Sequence, residues 1–565
     1  MSRSAMPAFA APSLRSRDEQ AAGLLAWLLA GALLLFILLP LASIFVKAVQ
    51  DRDGAFIGLA EVLRMLAEPR IQSATLNSLG LAALTMAVVL PAAFAFAFAL
   101  TRSRIPGAAA FRLIALSPLL APSLMPAISL VYLFGNQGLL KDWLGATSIY
   151  GPLGIVMGEV FYTFPHALLI LCAALAVADA RLYEAGTALG AGVARRFLTI
   201  TLPGARYGLV SAGTLVFTMV VADFGVPKVI GGQTNVLALE AYKQVLGQQN
   251  FNRGAVIGLL LLLPAVLSFI LERRVSRRHG ATMTGKSVPY RAKPAAGRDA
   301  ALWLFCALVS AFLLALIGVA VAAAFIDLWP YKMSLTLKHF DFEQLDGGGW
   351  QAFRNSLAVA ACSAALGSAV VFLTAYLVEK LPVPRLAVLT IRGVILLPMA
   401  VPGMVLGLGY VLFFNAPGNP LHVLFASMTM LVASTVAHLY STAHLTITTA
   451  LRQIDPEMEA VARSLNRPWW LSCARVTLPL ALPALLNVLR YLFVSSMTTV
   501  SCVIFLYTPD TVLASVAVLN MDDAGDTAAA AAMATLIVAA SLAVSLALNA
   551  LGWWCERRAQ IWRAA

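Results

Sequence analysis

Charge is what this chain has least of. Only 12% of its 565 residues are charged, against about 25% in a soluble protein. That shortage excludes a water-soluble globular domain. Cysteine is as sparse. The six (Cys172, Cys306, Cys362, Cys473, Cys502, Cys555) stand in or beside apolar segments, and none forms a C-x-x-C pair. Neither a disulfide framework nor a zinc site is supported, and the thiols read as small packing groups. No nucleophile–base–acid set and no metal-ligand spacing is found, so neither an enzyme nor a bound cofactor or metal is expected. Acidic residues are fewer than basic ones, and the net charge is +13. In a soluble protein that sign would suggest nucleic acid. Here orientation in a bilayer accounts for it, and no nucleic-acid partner is expected.

What is there instead is apolar surface: 60% of residues are hydrophobic and the mean hydropathy is +0.83. A span needs roughly 20 apolar residues. Runs of that length lie near 21–48, 74–101, 110–134, 152–178, 206–227 and 254–272. After a polar gap they recur near 300–326, 354–378, 390–414, 421–449, 481–507 and 527–553. Lipid offers the backbone no water, so the runs are expected to be helices. The fold class is therefore an all-α integral membrane protein of about twelve transmembrane helices. The first run is too long for a signal-peptide core and reads as a retained helix. With the N-terminus inside, the inside segments carry more than twice the lysine and arginine of the outside loops. That bias predicts both termini in the cytoplasm.

One motif has to be set aside. "GATMTGKS", Gly280 to Ser287, fits the P-loop pattern G-x-x-x-x-G-K-[ST]. A working P-loop joins a buried strand to a helix. Here no strand precedes it, and Pro289 and Pro294 follow where the helix would run. It lies in the polar gap, whose basic residues suit a tether held near anionic lipid.

The chain is also a duplication. Asn77 matches Asn355 and His166 matches His444 at an offset of 278. Arg112, Pro118 and Pro122 match Arg392, Pro398 and Pro402 at 280; Asp179 and Pro203 match Asp455 and Pro479 at 276. The expected organisation is an N-terminal cytoplasmic segment (1–20), a six-helix repeat (21–272), a basic cytoplasmic linker (273–299), a second repeat (300–553) and a cytoplasmic tail (554–565). Six spans is an even number, so the repeats should be parallel, with a pathway where they meet.

Between the fourth and fifth spans lies "DARLYEAGTALGAGVARRFLTITLPGAR", and at the matching place "DPEMEAVARSLNRPWWLSCARVTLPLAL". Each reads as a short helix, a turn and a second helix reaching Leu-Pro. These segments resemble the E-A-A-x-x-x-G loop of bacterial ATP-binding-cassette import permeases. The first supplies Glu184, Ala185, Gly186, Gly190, Leu202 and Pro203. In the second, Ala460 holds the Glu position, Ala462 and Asn466 follow, and Leu478 and Pro479 close the motif. Glu459, one residue earlier, is expected to stand in for the acid, and Asn466 to keep the turn, since Asn tolerates the left-handed conformation. The resemblance implies a type I importer permease. It implies docking of the loops on a separate ATPase pair inside, and a solute-binding protein outside.

For the cargo, residues 220–255 resemble permeases of the ferric-iron and 2-aminoethylphosphonate group, with "KVIGG" and "YKQVLGQQNF" nearer the phosphonate branch. The expected cargo is thus the phosphonate first and ferric iron second. Asp223 and Lys228 can attract an amine and a phosphonate, or pair with each other. Glu159 and His166 in the fourth span, and His438 and His444 in the tenth, are ionisable groups where lipid makes such groups costly. They line a path or bond neighbouring helices. Ser495 and Thr498 have the same two readings. The competing class is an ion-coupled secondary transporter, also built of parallel six-span halves. Paired coupling loops argue against it, because such a carrier has no ATPase to dock.

Overall fold

A computed structural model describes residues 17–51, 54–177, 179–277, 290, 292, 294–343, 348–455, 457–465 and 467–564. Most of the N-terminal segment, the P-loop-like stretch and Asn466 lie outside them. Among the described residues most are helical. In the first half the main helices are α1 (Arg17–Ala48), α2 (Ala60–Ala67), α3 (Pro69–Arg102), α4 (Ala108–Leu120), α5 (Met125–Phe134), α6 (Pro152–Ala176), α7 (Ala180–Ala188), α8 (Val193–Ala222) and α9 (Phe251–Arg277). The second half begins with α10 (Ala296–Phe325) and a two-stranded antiparallel hairpin, β1 (Ile326–Leu328) and β2 (Lys332–Leu335). It continues through α11 (Gly349–Lys380), α12 (Arg385–Ala400), α13 (Gly403–Phe414), α14 (Met428–Gln453), α15 (Glu457–Ser464), α16 (Trp469–Thr498), α17 (Ala514–Asp523) and α18 (Thr527–Ala564).

Among the described residues nine helices are long and apolar enough to cross a membrane, and two further spans are broken. The third and ninth spans, where proline and glycine lead one to expect kinks, bend by 103° between α4 and α5 and by 118° between α12 and α13. Proline removes a backbone donor and clashes with the preceding turn. Pro118 and Pro122, and Pro398 and Pro402, concentrate that effect at the breaks. Length and hydropathy thus give nine to eleven spans. The remaining expected span is α14. Its 26 residues would reach about 39 Å, but serine, threonine and histidine lower its hydropathy. It packs against α11 and α16 as α6 packs against α3 and α8.

Proline leaves a second signature. Three helices widen into a π-turn just before a Leu-Pro pair: Leu34–Leu38 before Pro40, Phe197–Thr201 before Pro203, and Cys473–Thr477 before Pro479. In each, the leucine N–H reaches the carbonyl five residues back. The extra residue lets the ring fit without breaking the helix.

The halves are tied by exchange of their first spans. α1 lies along α13, where the Tyr410 hydroxyl donates to the Phe36 carbonyl at 2.7 Å. Reciprocally α10 lies along α4 and α5, and the Ser129 hydroxyl donates to the Leu316 carbonyl at 2.6 Å. The first contact depends on Gly409: a Cβ there would stand 2.5 Å from the Pro40 carbonyl oxygen, a backbone atom that cannot step aside. Gly409→Val should therefore push α1 off α13 and cost about 1–3 kcal/mol. Thermal unfolding of the full chain in detergent checks this. An unchanged midpoint would mean the two helices separate freely.

Candidate coupling loops and translocation pathway

The coupling segments are built alike. Asp179 starts α7 by accepting the Arg181 N–H at 3.0 Å, and Asp455 accepts the Glu457 N–H at 2.9 Å before α15. Each carboxylate satisfies a donor that the helix start leaves unpaired. α7 ends with Gly190 at φ +71. The Ala191 N–H bonds the Gly186 carbonyl and the Gly190 N–H bonds that of Thr187, a Schellman closure. The second loop repeats the longer bond, Arg467 N–H to the Ala462 carbonyl at 3.0 Å.

The sides of the two short helices differ sharply. Glu184, Ala185 and Ala460 are exposed, as are Leu189, Val461 and Leu465. Gly186 and Ala462 turn partly inward, and a Cβ on Gly186 would lie 3.2 Å from Ile200. Leu202, Pro203 and Pro479 are exposed at the start of the following spans, and Leu478 is half-buried.

Each helix is held to the bundle by one inward side chain. The Tyr183 hydroxyl bonds that of Thr201 at 2.9 Å, and the Arg102 guanidinium lies 5.2 Å from the Tyr183 ring and 4.5 Å from that of Tyr290 in the linker. At the matching positions the Thr477 hydroxyl donates to Glu459 at 3.0 Å. Lys380 stands 3.7 Å from the other Glu459 oxygen and donates to the Ile454 carbonyl at 2.7 Å. A stacked cation is thus exchanged for a buried ion pair. This corrects the expectation for Glu459. It occupies the place of Tyr183, turned inward, and leaves Ala460 on the face that carries Glu184. Arg102, Tyr183, Thr201, Lys380 and Thr477 were missed from sequence. The repeat offset relates Arg102 to Lys380 and Thr201 to Thr477 and so held the signal.

The pathway candidates divide into those brought together and those not. Asp223 is not within a helix; it follows the end of α8 and accepts the Val226 N–H at 2.9 Å. Lys228 pairs with Asp523 at 2.9 Å and lies over the Tyr242 ring, so it is not the partner of Asp223. Glu159 instead shares its electrostatic surroundings with Asp223, and beside it a Cβ on Gly158 would stand 2.7 Å from Val226, whose N–H Asp223 accepts. His166 and His444 each sit against the tyrosine four residues earlier, at 5.9 Å from Tyr162 and 5.8 Å from Tyr440. His438 packs on Gly403 at the break between α12 and α13. Thr498 bonds back to the Val494 carbonyl of its own helix, and Ser495 is half-buried beside it. Among the described residues no group of three or more His, Cys, Asp and Glu is placed to hold a metal.

The repeat seen in the structure is also seen in sequence comparison with known proteins. The description "Binding-protein-dependent transport system inner membrane component" fits residues 90–280 and again 381–559, together more than half of the chain. The chain belongs to that family. It is therefore a permease subunit of an ATP-binding-cassette importer, a multi-pass inner-membrane protein and not an enzyme. A permease of this type implies an ATPase and a substrate-binding protein as partners. The permease is 29% identical over 497 residues to the "Putative ferric transport system permease protein FbpB 1" of Haemophilus influenzae, covering 84% of this chain and 76% of that one. It is 27% identical over 528 residues to the ferric transport system permease protein FbpB of Actinobacillus pleuropneumoniae, covering 90% and 75%. The molybdenum transport system permease protein ModB of Escherichia coli matches at 29% over 224 residues. That is 38% of this chain but 97% of the relative, as expected where a single-repeat permease meets a duplicated one.

Proposed function

We propose that this permease carries ferric iron inward, with α7 and α15 as the two levers on which a separate ATPase pair pulls. The observation that carries the lever role is the pairing of equivalent capped helices. Each is pinned to the bundle by one inward side chain and exposes apolar residues outside the apolar spans. Both termini and both levers lie on the cytoplasmic side, in line with the lysine and arginine bias. A binding protein delivers the cargo from the other side. Iron is favoured by two relatives that match 84% and 90% of this chain and are named for ferric transport. The phosphonate reading of residues 220–255 finds no such support among the relatives above, although it is testable in the same assay.

Lipid vesicles holding the full permease with its ATPase and binding protein provide the test. ATP-dependent accumulation of ferric iron is expected, with none for 2-aminoethylphosphonate and no response to a proton or sodium gradient. Accumulation of the phosphonate alone would replace the cargo. Uptake driven by an ion gradient without the ATPase would replace the mechanism.

A further inference from the structure

We propose that Glu159 and Asp223, with the phenols of Tyr162 and Tyr491, form a transient binding site for a hard multivalent cation where the two halves meet. This rests on the ferric reading above and names the residues that would meet the ion on its way.

Glu159 and Tyr162 lie three residues apart on α6 and so share a face. The Glu159 side chain is fully buried, and neither carboxylate oxygen has a protein donor. A carboxylate buried without a partner is costly. The polar group it meets is another acid, Asp223. Two facing carboxylates are both acceptors when ionised. They coexist only by sharing a proton or by holding a cation between them. Tyr162 is in electrostatic range of both acids and of Tyr491, on α16 of the other half. Near Tyr491 the surroundings are more polar: the Thr442 hydroxyl acts on its phenol, and Thr442 is exposed. Tyr162, Asp223 and Tyr491 are each half-buried. α8 and α16, the fifth spans of the two halves, are not among the packed helix pairs. Three of the four groups thus keep some exposure.

All four groups offer oxygen, from carboxylate or phenol. Hard cations prefer such ligands, whereas thiolate and thioether select soft ones. The cluster also breaks the internal repeat. The positions matching Glu159, Asp223 and Tyr491 hold Ala437, Thr499 and Leu215. Tyr440, which matches Tyr162, donates its hydroxyl to Thr374 of its own half at 2.9 Å. The second half reaches the same packing without the acids, so the fold does not require them. The site is also linked to the broken span. A Cβ on Gly225, two residues past Asp223, would stand 2.8 Å from the Ser123 hydroxyl at the bend between α4 and α5. Movement of that bend would carry Asp223 with it.

The test uses the full chain in lipid nanodiscs with ferric nitrilotriacetate as probe, and the vesicle assay in parallel. The unsubstituted chain should develop a visible iron–phenolate charge-transfer band. Glu159→Gln with Asp223→Asn should abolish the band and lower iron uptake at least tenfold. Tyr162→Phe and Tyr491→Phe each remove one hydroxyl and keep the ring, so the fold is preserved; each should weaken the band and slow uptake several-fold. If the unsubstituted chain moves iron but shows no band, and all the variants transport normally, the site is wrong and the ferric reading stands. If the unsubstituted chain moves no iron, the ferric reading itself falls, and the site with it.

Discussion

Replacing Lys380 with alanine is expected to destabilise the second coupling loop by about 3–5 kcal/mol, the usual cost of removing one partner from a buried ion pair. Both side chains of the Lys380–Glu459 pair are only 5% exposed. Without the ammonium, Glu459 loses its cation while the Thr477 hydroxyl still donates to it, and the Ile454 carbonyl loses the lysine. The loss should be local. Hydrogen exchange across residues 455–479 should accelerate while the bundle helices stay protected. The matching pin in the first half suggests a stricter experiment. Lys380→Arg with Glu459→Tyr installs the Arg102–Tyr183 arrangement in the second half, where Thr477 already stands for Thr201. The double variant should recover protection that each single variant loses, giving a coupling of about 1–3 kcal/mol in a double-mutant cycle. Simple addition of the two single effects would show that the residues do not act as a pair.

Gly190→Val is expected to abolish ATP-driven uptake while leaving the permease folded in the membrane. Gly190 sits at φ +71, and nothing lies within 4 Å of the position a Cβ would take. The residue is therefore required for its backbone angle and not for space. An ordinary L-residue held there costs about 1–2 kcal/mol, and a β-branched one is a genuine outlier. The Schellman closure to Gly186 and Thr187 would open, and α7 would lose its fixed angle to α8. A lever of uncertain angle transmits no stroke, so uptake should fall at least tenfold while the ATPase subunits still hydrolyse ATP. Gly190→Asn is the control. Asn enters the left-handed region more readily, and Asn466 holds the matching place in the second loop. It should retain most of the uptake. If valine transports as well as glycine, α7 is not the lever; if asparagine fails as badly as valine, the angle is not the reason.

Much of this could be read along the chain. The hydrophobic runs place the helices because lipid forces every apolar run of that length to satisfy its own backbone. The offset of 276 to 280 reveals the duplication, since two copies folding under the same rules keep their prolines and caps in step. The coupling loops are legible for the same reason: Asp179, Gly190 and Pro203 act within a few residues of themselves. The count of spans was less legible. Prolines announced distortion, but the bends of 103° and 118° depend on what packs around the freed backbone groups.

The sequence by itself determined a membrane-embedded, twice-repeated helical protein with a short capped helix in each half, because hydropathy, repeat and cap chemistry are all local. Only the tertiary structure decided which side chains meet. It exchanged the first spans between halves, gave Lys228 to Asp523 and not to Asp223, turned Glu459 inward to Lys380, and brought Glu159 into the surroundings of Asp223. Those partners lie tens to hundreds of residues apart, and no periodicity links them. Their meeting follows from helix packing, where a single close approach such as Gly409 on Pro40 fixes what every neighbouring side chain can reach.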